Sequence, residues 1–369
     1  MTIRIHPSQR GFSLVELMVG VTVALVGLLI ITGILVNSSR QKQTTSSGSD
    51  AQTAGSIGSY LIERDVRMAG YGVNFASLLG CTIHGYDSAS SPARNFTFVD
   101  VPIVITAGTA TTSDQITITY GSSDTGLNAP NLVQNNNGSN ANYKVDNRFG
   151  FHEGNLIVVS EDGVDSDGDG VDDCTLAEVT GVPGTPGQSD NIIHNSGNYT
   201  DAAGNNVTAR YNKPSGLGIA YTTKAKVYNL GNLPTNKIYA VSNGELTALD
   251  TFLATAPSSV AENVIFLRAQ YGKDTNSDGT VDTFDQTTPT TVAGWKQVVA
   301  VRFAVVARSH NREGELVTAT PLTLLPAITL PGGTNLAAQT LTLSDEERHY
   351  RYKVYTAFVP LRNQIWVPE

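Results

Sequence analysis

The chain has 369 residues, 40% of them apolar, which is enough for two average domains or for one core with large insertions. Only 15% of residues are charged, against about 25% in ordinary soluble domains, while Gly, Ser, Thr and Asn abound, a profile that suits a β-rich protein outside the cytoplasm. The formal charge of −9 with scattered positive residues argues against nucleic-acid binding by this chain alone, and two cysteines, Cys81 and Cys174, are too few for a disulfide scaffold or a cysteine zinc site. They suffice for one bridge in an oxidising compartment, two separate buried thiols being the alternative.

The first segment, Met1 to Gly11, is short and polar, carries Arg4 and Arg10 without an acid, and precedes an apolar stretch from Phe12 to Val36. A basic flank before such a stretch is a membrane-targeting arrangement with the basic end inside. At about 1.5 Å per residue the stretch reaches roughly 37 Å as a helix, enough to cross a hydrocarbon core of about 30 Å. A conventional cleaved signal would be shorter and end at small residues, and Ser38-Ser39 after Asn37 is a poor version of that. One acid, Glu16, interrupts the apolar run; a carboxylate there costs a few kcal/mol unless it is paired or interfacial, so it is a functional candidate.

Gly11-Phe12-Ser13-Leu14-Val15-Glu16-Leu17 resembles the prepilin motif of type IV pilins and type II secretion pseudopilins. The resemblance implies that a prepilin peptidase cuts between Gly11 and Phe12 on the cytoplasmic side, that Phe12 becomes N-methylated, and that Glu16 is the fifth mature residue. It also implies a single-pass inner-membrane protein with a cytoplasmic N-terminus that later joins a cell-surface pilus. The chemistry is coherent in itself, because cleavage gives Phe12 an α-ammonium group that Glu16 of a neighbouring subunit can neutralise in an apolar filament core. Removing Glu16 should then harm assembly more than folding.

No proline interrupts Phe12 through Met68, and Ala51, Ala54, Ile57, Tyr60, Leu61 and Val66 recur as an amphipathic pattern, so the helix is expected to continue past the membrane segment over 37–70. Gln41 to Gly58 is rich in Gln, Ser, Thr and Gly, which lowers helix propensity, and Gly70-Tyr71-Gly72 is a stop signal. Beyond it, residues 71–369 read as a β-rich periplasmic or extracellular head. Gln115 to Tyr120 alternates and Leu156 to Val159 is a short apolar run, whereas Asn128 to Asn142 and Gly181 to Ser215 read as loops or surface insertions. Asn263 to Tyr271, Gln297 to Arg308 and His349 to Val359 are the best strand candidates and are expected to form the main sheet packed on the helix.

The runs Arg64 to Gly72, Asn263 to Gly272, and Arg351-Tyr352-Lys353-Val354-Tyr355 through Pro360-Leu361-Arg362-Asn363 look like the PilW type of minor pilin. The resemblance implies an α+β pilin-like fold with insertions around 81–258, outside the matched runs. It further implies a low-abundance subunit that acts with other minor pilins, the major pilin and the inner-membrane assembly machinery in priming pilus assembly, at the tip, in support of twitching motility and attachment. A type II secretion pseudopilin and a membrane-anchored surface hydrolase are the alternatives. No H-E-x-x-H pair, G-x-S-x-G elbow or Walker A loop supports catalysis, and His84 and His152 read as ordinary loop or sheet residues.

Two acidic loops remain. Asp274, Asn276, Asp278, Asp282 and Asp285 stand at positions 1, 3, 5, 9 and 12 of a twelve-residue loop with Gly279 at 6 and the Thr280 carbonyl at 7, the spacing by which such a loop wraps Ca²⁺. It resembles EF-hand and dockerin loops, save that position 12 is Asp. A second loop has Asp165, Asp167, Asp169 and Asp173 at positions 1, 3, 5 and 9 but Leu176 at 12, and resembles thrombospondin type 3 repeats. Ca²⁺ is the expected ligand of the first and a candidate for the second, a solvated acidic turn being the alternative for each.

Overall fold

The computed structural model describes Gly11 and residues 13–73, 75, 77–123, 129–184, 187, 190–201 and 203–365, with only the backbone of Arg40, Gln43 and Ile365. One helix of 55 residues, Leu14–Met68, opens the chain. Ser13 caps it: the Ser13 hydroxyl accepts from the Glu16 amide at 3.2 Å, and the Ser13 amide donates to the Glu16 carboxylate at 3.1 Å, a reciprocal capping box. The helix ends where Gly70 and Gly72 take φ of 80° and 69°, left-handed values that suit residues without a Cβ.

The outer half of the helix faces the head along Ala51, Gly55, Gly58, Ile62, Val66 and Ala69, a run of three- and four-residue steps. This corrects the amphipathic pattern read from the sequence, since Ile57 and Tyr60 are exposed. The reason is the glycines. A Cβ at Gly55 would stand 2.3 Å from the Tyr355 ring, and one at Gly58 would stand 3.0 Å from Leu246, so these residues let helix and sheet approach closely. The helix passes unbroken through Gln41 to Gly58, with tertiary contact overriding low propensity.

The expected main sheet is present. The strands Thr283–Asp285, Val264–Lys273, Val298–Arg308 and Tyr352–Pro360 form an antiparallel sheet in that order. Side chains alternate between its faces. Leu267, Ala269, Phe303 and Val305 join Ile62 and Val66 of the helix in one core, while Phe266, Ala304 and Val306 pack against Leu324, Leu325, Leu341 and Leu343. The latter come from the hairpin Leu322–Leu325 with Gln339–Leu341 and from the chain that follows it.

A five-stranded antiparallel sheet, ordered Ser258–Glu262, Glu245–Asp250, Thr235–Ser242, Gln115–Tyr120, Ile103–Thr106, shares that core through Ile103, Ile105, Ile116, Ile118, Tyr239 and Leu246. This modifies the expectation of an insertion around 81–258, because much of that region is structural core. Asp114, fully buried at the head of one of its strands, accepts hydrogen bonds from Arg268 (2.7 Å), the Ala269 amide (2.7 Å) and Gln286 (2.6 Å), tying the two sheets together. Asp65 of the helix is buried as well. Its carboxylate accepts from Lys237 (2.9 Å), Tyr239 (2.7 Å) and Arg64 (2.9 Å), so one helical acid anchors the five-stranded sheet.

A second five-stranded sheet stands apart, with its own apolar clusters: Lys226–Gly231, Leu156–Ser160, Asp173–Glu178, Thr82–Asp87, Arg94–Val99. Its strands Thr82–Asp87 and Asp173–Glu178 run parallel, Thr82 beside Asp173 and Ile83 beside Cys174. Cys81 and Cys174 are disulfide-bonded, with Cα atoms 6.1 Å apart, which closes the beginning of this pair. Within Gly181 to Ser215, read from sequence as surface insertion, the short strands Asn191–Ile193, Asn198–Thr200 and Asn206–Thr208 form.

Candidate functional site

Along the inner half of the helix, the large apolar side chains from Leu14 to Val36 are exposed, and among the described residues no part of the head covers them. The segment is long and apolar enough to cross a membrane. Glu16 sits in its first turn, in the capping box with Ser13, so within a single chain the acid already serves its own helix. Gly11 lies outside the helix and is exposed; Phe12 and the leader 1–10, on which the cleavage reading rests, lie outside the described residues.

Both acidic loops are hairpin connectors. The first joins Val264–Lys273 to Thr283–Asp285, the second Leu156–Ser160 to Asp173–Glu178. In the first, Asp274 is buried, accepting from the Ser277 amide at 2.6 Å and the Gly279 amide at 2.8 Å. Asn276 accepts from the Asp278 amide, Asp278 from the Thr280 amide, and Asp282 from the amide and hydroxyl of Thr275. The second repeats this position for position. Asp165 accepts from the amides of Gly168 and Gly170, Asp167 from that of Asp169, Asp169 from that of Val171, and Asp173 from the amide and hydroxyl of Ser166. Positions 4 and 6 are left-handed in both: Ser277 and Gly279 at 62° and 84°, Gly168 and Gly170 at 80° and 85°. The two loops are one backbone motif, whereas sequence resemblance assigns them to different types.

They differ in what lies beside the loop. Asp285, expected as the twelfth-position ligand, accepts from Lys273 and from the Thr287 amide, each at 2.7 Å, so in this conformation it serves a lysine of the adjoining strand. At the second loop, position 12 is the buried Leu176, but His84 of the neighbouring strand brings Nε2 to 2.5 Å from Asp173 Oδ1. His84, Asp167 and Asp173 each offer an atom within 4.8 Å of the others, as do Asp165, Asp167 and Asp169. Backbone donors at Gly170 and Gly168 hold the Asp165 carboxyl below its usual range. For Asp173 burial works upward, but hydrogen bonds from Ser166 and His84 outweigh it and the net shift is downward. His84 was missed as a site residue because only the parallel pairing of two strands distant in sequence brings it to the loop.

Residues 227–363 match the family described as type IV pilus-assembly protein W, and residues 6–32 match the prokaryotic N-terminal methylation motif. Over residues 227–363 the chain is similar to that family. That PilW region spans the four-stranded sheet and the strands Thr235–Ser242 to Ser258–Glu262, so it begins inside the stretch that the sequence runs left unmatched. A solved structure, the type IV-like pilin TTHA1219 from Thermus thermophilus, aligns with 85% of this chain and 97% of its own at 11% identity and a TM-score of 0.34. No curated protein matches the chain.

Proposed function

We propose that the protein is a type IV pilus minor pilin. The observation that carries this reading is the division of one helix: the outer half is buried in a head similar to the PilW family, while the inner half, in a methylation-motif match, leaves its apolar side chains uncovered in the monomer. Such a face needs first a bilayer and then the apolar core of a filament. The protein resides in the inner membrane as a single-pass precursor with its N-terminus in the cytoplasm, and a prepilin peptidase cuts it between Gly11 and Phe12. It then enters the pilus beside other minor pilins and the major pilin, where it primes assembly at the tip and supports twitching motility and attachment. The role is structural and not enzymatic.

The decisive measurement uses Glu16→Gln. Glutamine retains the capping-box hydrogen bonds but loses the charge that neutralises the Phe12 ammonium of a neighbour. Mass spectrometry of sheared wild-type pili is expected to find an N-methylated Phe12 terminus, with the variant inserted in the membrane yet at least tenfold depleted from pili. Intact Met1 in filaments, or normal incorporation and motility of the variant, overturns the reading.

We also propose that the loop Asp274 to Asp285 binds Ca²⁺ and clips the hairpin of the four-stranded sheet, and that Asp165, Asp167, Asp169 and Asp173 form a second cation loop. Oxygen donors of this density favour a hard cation, and an extracellular module needs an affinity only on the order of 0.1 to 1 mM. At 100-fold excess over the dissociation constant one ion adds about 2.7 kcal/mol of stability. Calcium is expected to raise the melting temperature of the detergent-solubilised wild type but not of an Asp274→Ala, Asp278→Ala variant. An identical response in the two proteins removes the ion from this loop.

A further inference from the structure

We infer that the loop at 165–173 is a transition-metal site of the Zn²⁺ class, in which the His84 imidazole joins Asp167 and Asp173. The inference rests on reading that segment as a cation loop and goes further by changing the ion, because its donor set differs from that of its twin. Imidazole nitrogen is a ligand for zinc, copper, iron and nickel, whereas Ca²⁺ takes oxygen. The loop at 274–285 has oxygen donors alone, Asp274, Asn276, Asp278 and Asp282, so the same backbone motif yields two different sites.

The mixed set is assembled by the fold. His84 lies on a strand interior to the sheet, in parallel register with the strand that Asp173 begins, and Cys81 and Cys174 are bridged immediately beside both. Asp173 is 1% exposed, and Ser166 holds its Oδ2 through both amide and hydroxyl, which leaves Oδ1 facing His84 Nε2. Asp167 comes from the loop above, so three donors from two strands and one loop lie within 4.8 Å of one another, while Asp165 and Asp169 group separately with Asp167. One nitrogen and two carboxylates with an open position is a donor set that Zn²⁺ accepts. The strands and the disulfide hold the two backbones in place, and the 2.5 Å hydrogen bond between His84 and Asp173 has to open for both side chains to ligate one ion.

The test is metal titration of the full chain in detergent, oxidised and stripped with chelator, using Zn²⁺, Co²⁺ and Ca²⁺ alone. Wild type is expected to bind one Zn²⁺ in competition with Co²⁺, the Co²⁺ form giving the visible absorption of a nitrogen- and oxygen-ligated tetrahedral site. His84→Gln, which keeps a hydrogen-bonding group opposite Asp173, should lose at least tenfold in Zn²⁺ affinity and lose the Co²⁺ band. Thermal melting and free-thiol labelling establish that this variant is folded and bridged. The Asp274→Ala, Asp278→Ala variant should retain the zinc site and lose only calcium. Unchanged zinc affinity in a folded His84→Gln, absence of zinc binding in wild type, or Ca²⁺ binding at 165–173 indifferent to His84 each overturn the inference and leave His84 as a hydrogen-bonding partner of Asp173. The pilin reading stands or falls separately, on incorporation into pili.

Discussion

Replacing Cys81 and Cys174 together by alanine is expected to lower the unfolding free energy by about 4 kcal/mol. The bridge spans 93 residues, and the chain-entropy relation gives between 3 kcal/mol for a loop of about 15 residues and 4.7 for about 100. The sheet makes the constraint matter locally. Its parallel pair, Thr82 to His84 against Asp173 to Thr175, gains nothing from a short turn, since parallel strands need a long crossover between them. Urea denaturation of the detergent-solubilised chain reads the effect, which reductant should reproduce in the wild type. Each single alanine variant should fall nearly as far as the double one, because either change removes the whole bridge. Additive single effects, or a double variant within about 1 kcal/mol of wild type, would mean that the cysteines act as separately packed groups and not as a staple.

The parts of this protein that were legible in its sequence are those whose signal is local. The long helix and three long strands of the main sheet announce themselves by uninterrupted pattern, and the structure places the helix at Leu14–Met68 and the strands at Val264–Lys273, Val298–Arg308 and Tyr352–Pro360. The helix face was misread because Gly55 and Gly58, which look like weak helix formers, are the points of closest packing, while the apolar Ile57 and Tyr60 point outward. The region 81–258 was read as carrying insertions because it lies outside the runs that resemble the PilW type, yet Ile103, Ile105, Ile116 and Ile118 lie in the same core as the helix. The spacing of acids marked both loops, but the identity of their backbones depends on amide hydrogen bonds that composition does not specify. His84 reaches Asp173 only through a pairing that spans nearly ninety residues, the kind of non-local contact that no window along the chain contains.

The same non-local logic makes Asp65 the most consequential polar residue of the helix. Asp65→Ala is expected to cost about 3 kcal/mol, because it leaves Lys237 and Tyr239 facing the helix without their acceptor, and losing one member of a buried charge pair is costlier than the pair is worth. Arg64 also contacts the carboxylate but is half exposed and contributes little. Burial alone raises the pKa of Asp65, yet hydrogen bonds from Lys237, Tyr239 and Arg64 outweigh it and hold the carboxyl below its ordinary value. A depressed native pKa stabilises the fold fully above the ordinary aspartate range, and that contribution is lost as pH falls through the native value. The stability difference between wild type and Asp65→Ala should therefore be greatest at neutral pH and shrink on acidification. A double variant, Asp65→Ala with Lys237→Met, removes the orphaned charge and should recover much of the loss, giving a coupling energy above 1 kcal/mol in the cycle. If the double variant is as unstable as the sum of the single ones, or if the Asp65→Ala deficit is independent of pH, Asp65 fills space on the helix and does not latch it to the head.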